Sequence, residues 1–237
     1  MSVIIETYKT KDYFWDFKSP TIYHYLSILT LVISFIILAL IDENEIIFFH
    51  SFFTTLAIIS IFVFITTHIL FSFSYENLKK IKTGVFKISK DAIVINNQLN
   101  IFYEDIDDFE IYAHDYKGRA KYLRVSLEPN LSLGLDNSVK IKYQNKIIEY
   151  KFEVTEEREI DLIYSFISSI IIKEKFKKVS PRKLVSFIPE KFRRTEEYRQ
   201  YISEHVKDGN FNSIEGLLMM SYKSDQEAIE LRKKYSL

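Results

Sequence analysis

The chain has 237 residues, with 32 Lys/Arg balanced by 32 Asp/Glu, no cysteine, and only five Gly and four Pro. Without cysteine there are no disulfide frameworks, thiolate metal sites or cysteine nucleophiles, and 16% aromatic residues mark a folded chain rather than a disordered one. The zero net charge is an average: residues 1–90 carry +1, residues 91–172 carry −6 and residues 173–237 carry +5, which points to three structural parts.

Residues 1–20 hold Lys9, Lys11 and Lys18 with Tyr13, Phe14, Trp15 and Phe17, and Tyr23 and Tyr25 follow. Such rings favour a membrane interface, so 1–20 is expected to be a cytoplasmic N-terminal interfacial segment. An uncharged run then reaches from Ser19 to Ile41, apart from the titratable His24. At ~1.5 Å per residue it gives about 34 Å of helix, enough for a hydrocarbon core of ~30 Å. A second run, Ile46 to Tyr75, carries only His50 and His68 as titratable side chains that can gain charge near neutrality. Between the runs stand Asp42, Glu43, Asn44 and Glu45. One acid at the centre of a span costs about 2.5–3.5 kcal/mol, so this break belongs in water, as the loop of a tight hairpin. The expected architecture is a transmembrane hairpin over 21–75, with spans at about 21–41 and 46–73. Lys79, Lys80, Lys82, Lys87 and Lys90 follow the second span, whereas the connecting loop has no Lys or Arg. The positive-inside rule then places both termini in the cytoplasm. His24, His50 and His68 are expected to sit near the interfaces with their polar tips in the headgroups.

After Thr83-Gly84 the period changes to two. "VFKISKDAIVI" predicts two strands turning at Lys90-Asp91, and "KGRA" predicts a hairpin turn between "IDDFEIYAHDY" and "KYLRVSL". Turn signals recur at Pro129-Asn130, Asp136-Asn137 and Gln144-Asn145. In the last strand Ile148, Tyr150, Phe152 and Val154 alternate with Glu149, Lys151 and Glu153, the pattern of a half-buried antiparallel strand. Ile160, Ile163, Phe166, Ile167, Ile170 and Ile171 then form one helical stripe. About seven strands and a covering helix make a domain over 80–172.

The hairpin, the basic link, the motif Gly84-x-Phe86-x-Ile88 with Asp91-x-Ile93, the strand meander and "EIDLIYSFISSII" together resemble the bacterial PH-like (YcxB-like) two-span membrane proteins, over roughly residues 20–172. The resemblance implies an α+β membrane protein with a PH-like antiparallel β barrel or sandwich closed by a C-terminal helix, and a non-enzymatic role. It transfers no functional residues. The basic cluster of phosphoinositide-binding PH domains is absent, since the first hairpin offers only Lys87 and Lys90 beside Asp91.

The acidic run Glu104 to Glu110 places Asp105, Asp107 and Asp108 close together, but the Gly and Glu positions of an EF-hand loop are not matched. It reads better as a solvated strand edge. Residues 173–237 are expected to be a basic linker and a helical tail. Lys173, Lys175, Lys177, Lys178, Arg182, Lys183, Lys191, Arg193 and Arg194 are candidates for anionic-lipid contact, each worth about 1 kcal/mol at such a surface, or for pairing with the acidic domain. A helix is predicted from Pro189 to Gly209, and Ser224-x-x-Glu227 opens another. Leu217, Leu218, Met219 and Met220 are the candidate partner contact, since Met suits adaptable surfaces.

No P-loop, G-x-S-x-G, H-E-x-x-H or dinucleotide-binding glycine pattern occurs, no cofactor is expected, and no nucleic-acid-binding signature is present. The leading expectation is an adaptor or scaffold anchored in the bacterial cytoplasmic (inner) membrane, integral in the bilayer and recruiting a protein partner or a second copy through its tail. Two other readings fit the same anchor: immunity against a membrane-directed toxin, and an enzyme acting on lipid or envelope precursors.

Overall fold

The computed structural model describes residues 2–12, 20–40, 47–76, 78–122 and 128–237. Helices α1 (Pro20–Leu40) and α2 (Ile47–Phe71) follow strand β1 (Val3–Asp12). Strands β2 (Leu78–Ile88), β3 (Ala92–Ile95), β4 (Leu99–Phe102), β5 (Asp108–Tyr112), β6 (Lys117–Ala120), β7 (Leu131–Leu133), β8 (Asn137–Tyr143) and β9 (Lys146–Phe152) come next. Helices α3 (Glu157–Ile172), α4 (Pro181–Ser186), α5 (Glu196–Lys207), α6 (Ser213–Met219) and α7 (Asp225–Tyr235) complete the chain. Two compact units result. One comprises Met1–Lys9, Lys82–Asp115 and Leu135–Leu237; the other comprises Thr10–Ile81 and Tyr116–Gly134.

In the second unit, Thr21–Leu40 and Phe48–Phe71 are long and apolar enough to cross a membrane. The break Asp42–Glu45 and the aromatic residues Tyr13 to Phe17 lie outside the described residues. The two helices are apolar on the outside. Leu29, Phe35, Ile36, Ile59, Phe62 and Ile65 are exposed, while Ser27, Ser34, Ala57, Ser60 and Thr67 are buried in the seam between the helices. Small residues let helix backbones approach closely, and each buried hydroxyl returns its proton to a carbonyl of its own helix, as Ser34 does to Thr30 at 2.8 Å. His24 departs from its expected place. It is 1% exposed and turned into the seam, because Thr67 and the rings of Phe64 and Phe71 supply a pocket there.

The second unit also holds the ribbon β6–β7. "KGRA", expected to be a turn, is itself strand β6, paired from Lys117↔Leu133 to Ala120↔Leu131. The expected strand 121–127 falls mostly outside the described residues. The ribbon is fastened to the end of α2: Asn130 N–H donates to the Phe71 carbonyl at 2.9 Å, Leu131 N–H to that of Ser74 at 3.0 Å, and Glu76 N–H to that of Leu131 at 2.8 Å. The Glu76 carboxylate accepts from Leu133 N–H at 2.9 Å and from Lys121, closing the attachment.

The first unit is built on a seven-stranded sheet of order β4-β3-β2-β1-β9-β8-β5. Residues 1–20 were expected at the interface, yet Val3–Asp12 forms a central strand, with Thr7↔Phe152 and Tyr8↔Lys151 as its partners on β9. The alternation Ile5, Thr7 buried against Ile4 and Glu6 outward was present in the sequence, overshadowed by the lysines and aromatics that follow. The β8–β9 turn carries Gln144 and Asn145 at φ 49° and 60°, the left-handed pair that matches strand twist in a two-residue hairpin.

The expected barrel closure is not seen: β4 and β5 are the two edges of the sheet. Five residues join Phe102 to Asp108, a reach of about 20 Å. Six flat inter-strand steps would separate the edges by roughly 29 Å, so the sheet curls. Side chains fill the seam where strand pairing would close a barrel. Tyr103 and Ile106 are buried there, and the Phe176 ring lies 5.0 Å from that of Tyr103 and 5.1 Å from that of Phe109.

Helix α3 buries Ile163, Ile167, Ile170 and Ile171 of its predicted stripe. The tail is more structured than its linker composition implied. Ser180 caps α4, with Pro181 in its first turn, and Leu184 and Val185 are buried. The helix predicted from Pro189 begins only at Glu196, where Thr195 accepts from Tyr198 N–H and forms the N-cap; a 3-10 turn, Glu190–Phe192, precedes it. Asn212 and Glu215 form a full capping box on α6. At Gly216 a Cβ would meet Val206 Cγ2 at 2.4 Å, so α6 can approach α5 only without a side chain there.

Candidate functional site

The acidic run is an edge strand. On β5, Phe109 and Ile111 are buried, while Asp108, Glu110 and Tyr112 alternate to the other face. Helix α4 brings Lys183 to that edge, its ammonium 2.7 Å from Asp108 Oδ1 and 2.8 Å from Glu110 Oε1. Burial alone would lower the Lys183 ammonium, but hydrogen bonds to the two carboxylates outweigh it and hold the group above its usual value. Lys178 lies 3.6 Å from Asp107 and Lys175 3.2 Å from Asp91. Of the three acids weighed against an EF-hand loop, Asp107 and Asp108 are therefore paired with the tail, and the Asp105 main-chain carbonyl accepts from Lys178. Among the described residues no group of three His, Asp or Glu is placed to hold a metal.

Beside Lys183 a groove of about 480 Å³ opens over the outer face of β5 and β8. Glu110, Tyr112, Lys140, Glu149, Lys183 and Phe187 line it, together with Ser138 and Ser186. Two cations, two anions and two rings make a surface of mixed character rather than an anion site. Tyr112 is exposed, its ring edge-on to His114 at 4.6 Å.

Eight of the nine basic residues considered for lipid contact have an intramolecular partner. Besides Lys175, Lys178 and Lys183, Arg182 forms a fork with Glu215 at 2.8 and 3.1 Å, and Lys191 meets Asp161. Lys177 lies 4.0 Å from Glu174, Arg194 lies 3.5 Å from Glu190, and Arg193 donates to the Ile188 carbonyl at 2.8 Å. Lys173 is exposed at the end of α3. A headgroup at this segment would compete with contacts that fold the tail.

The candidate cluster Leu217–Met220 does not form one surface. Residues three apart share a helical face, so Leu217 and Met220 both point inward and are buried; Met219 is half-buried and Leu218 is 61% exposed. Core packing claims half of the cluster.

Two further features went unread in the sequence. A groove of about 380 Å³ lies between β1 and α3, lined by Ile4, Glu6, Tyr8, Glu153, Glu159 and Leu162 among others. There Tyr8 donates to Glu6, and burial followed by that carboxylate pushes the phenol above its usual value. The hairpin seam holds the second feature. His24 Nδ1 is 3.1 Å from Thr67 Oγ1, and its ring stacks on Phe64 at 4.8 Å and lies 6.2 Å from His68. His24 Nε2 and His68 Nδ1 are buried without a partner. Two donors on stacked rings do not make a metal centre. No feature in a one-dimensional reading distinguishes a seam histidine from an interfacial one. The chain matches no family model, no curated protein and no solved structure.

Proposed function

We propose that the protein is a non-enzymatic adaptor anchored in a bacterial cytoplasmic membrane, with both termini cytoplasmic and a PH-like sheet domain that binds a protein partner near the inner leaflet. The apolar exterior and polar seam of α1 and α2 support the anchor. The lysines on either side of the hairpin support the orientation. The observation that carries the partner reading is the β5 edge. The outer face of this edge strand borders a groove of mixed charge with two aromatic rings, one of them the exposed Tyr112.

Truncating the tail would not test this, because it removes the buried Leu184, Val185, Ile188 and Tyr198 and unfolds the neighbourhood of the groove. A photo-crosslinking residue at Tyr112, compared with one at Ile229 on α7, does test it in native membranes. A discrete heterologous adduct from position 112 and not from 229 is expected. Adducts only with a second copy, or the same products from both positions, would overturn the adaptor reading.

A further inference from the structure

Within the hairpin unit, the ribbon β6–β7 cannot drift from the membrane surface if α2 spans the bilayer. The 24 residues Phe48–Phe71 give roughly 36 Å of helix against a core of ~30 Å, which brings Phe71 to headgroup depth. The Phe71 carbonyl accepts directly from Asn130 N–H, and Tyr75 bridges to Leu131. The ribbon strands are therefore about one and two strand spacings, ~5 and ~10 Å, from the chain leaving the span.

The charge there is one-sided. Lys79, Lys80, Lys117, Arg119 and Lys121 stand against Glu76 and Glu128 among the described residues. Glu76 meets Lys121 and accepts from Leu133 N–H and Ser132. Lys79, Lys80 and Lys117 are exposed, and the Lys117 ammonium sits 5.9 Å from the centre of the Tyr75 ring. Exposed Phe73, Tyr75 and Tyr122 surround them, giving the apolar body and polar tip that headgroup depth favours.

We infer that this ribbon is an anionic-phospholipid contact: Lys79 and Lys117 bind lipid phosphates while Phe73, Tyr75 and Tyr122 sit among the glycerol backbones. The inference rests on the spanning reading of α2 and transfers headgroup recognition from the tail to the ribbon. Each cation near such a surface strengthens binding to it about fivefold.

Because the chain has no cysteine, Tyr122→Cys gives a single labelling site. The labelled full-length protein is reconstituted in phosphatidylcholine vesicles with and without phosphatidylglycerol. Quenching by nitroxide-labelled phosphatidylglycerol is compared with quenching by nitroxide-labelled phosphatidylcholine. A several-fold preference for the anionic quencher is expected, weakened by salt, lost in K79Q/K117Q, kept in K79R/K117R, and unchanged in K173Q/K177Q. No preference, a preference that survives K79Q/K117Q, or its loss from both the Gln and Arg variants would overturn the inference. Alkaline carbonate separates the two levels. A chain stripped from the vesicles overturns the spanning reading and this proposal together, whereas an inserted chain without the preference overturns this proposal alone.

Discussion

The two units bury opposite kinds of side chain. Between α1 and α2 the hidden positions are mostly small or polar, namely Ser27, Ser34, Ala57, Ser60, Thr67 and His24 beside Ile22 and Phe71, and most of the large apolar residues face outward. In the sheet unit Phe86, Ile93, Ile101, Phe109, Ile141 and Phe152 are hidden and most charges face outward, with Asp115 a buried exception. Solvent accounts for the inversion under the proposed reading that α1 and α2 span a bilayer. In water, removing apolar surface drives packing; in hydrocarbon it gains nothing, so close approach and hydrogen bonding decide which face turns inward.

The sharpest break in that comparison is an apolar deletion applied to both units. Phe152→Ala, at a position 0% exposed, should cost about 3–5 kcal/mol in denaturant unfolding of the detergent-solubilised protein. Phe62→Ala, at a position 72% exposed, should leave the same measurement nearly unchanged. Equal losses would mean that α2 is a buried core helix. A charge should reverse the order. Ile59→Arg, near the middle of Phe48–Phe71, should cost roughly 2.5–3.5 kcal/mol of insertion, read as a fall in the carbonate-resistant fraction. Ile147→Arg, at a position 63% exposed on β9, should change neither fraction nor stability.

A smaller effect concerns how the tail is held. Lys183→Met should cost on the order of 1 kcal/mol, because the pair is partly exposed and screened. A double-mutant cycle with Asp108→Asn should show coupling, and its absence would mean that Phe176 and Phe187 alone seat α4. The mildest probe is acid. Hydrogen bonds to Arg182 and Lys234 lower the carboxyls of Glu215 and Glu196, and those from Lys223 N–H and Arg199 lower Glu227. A carboxyl lowered by folding stabilises the native state above its unfolded value of 4.5 and loses that contribution as pH falls through its folded value. Below pH 4.5, amide exchange should therefore rise first in α4–α7, with the β-sheet core still protected. Uniform loosening across both units would show that these pairs do not hold the tail.

The two long apolar helices were legible because uninterrupted apolar runs of that length stand out in the chain, and the α3 stripe and the β9 alternation because burial writes its period into the chain. The place of β1 in the sheet was not legible, since its partner β9 lies some 140 residues away and the local alternation does not name that pairing. The basic tail looked like a free linker because charge alone does not name its partner; only the fold places Lys183 against Asp108 and Glu110. The same holds for His24, whose sequence position is near the start of a span but whose rotation into the seam depends on Phe64 and Thr67 of the other helix. By itself, then, the sequence determined what each segment is soluble in and which local period it adopts, since those follow from side-chain hydration and backbone geometry. Tertiary structure alone decided which strands neighbour one another, that the sheet stays open around Tyr103 and Phe176, and which charges are spent inside the molecule, because these depend on contacts between residues far apart in the chain.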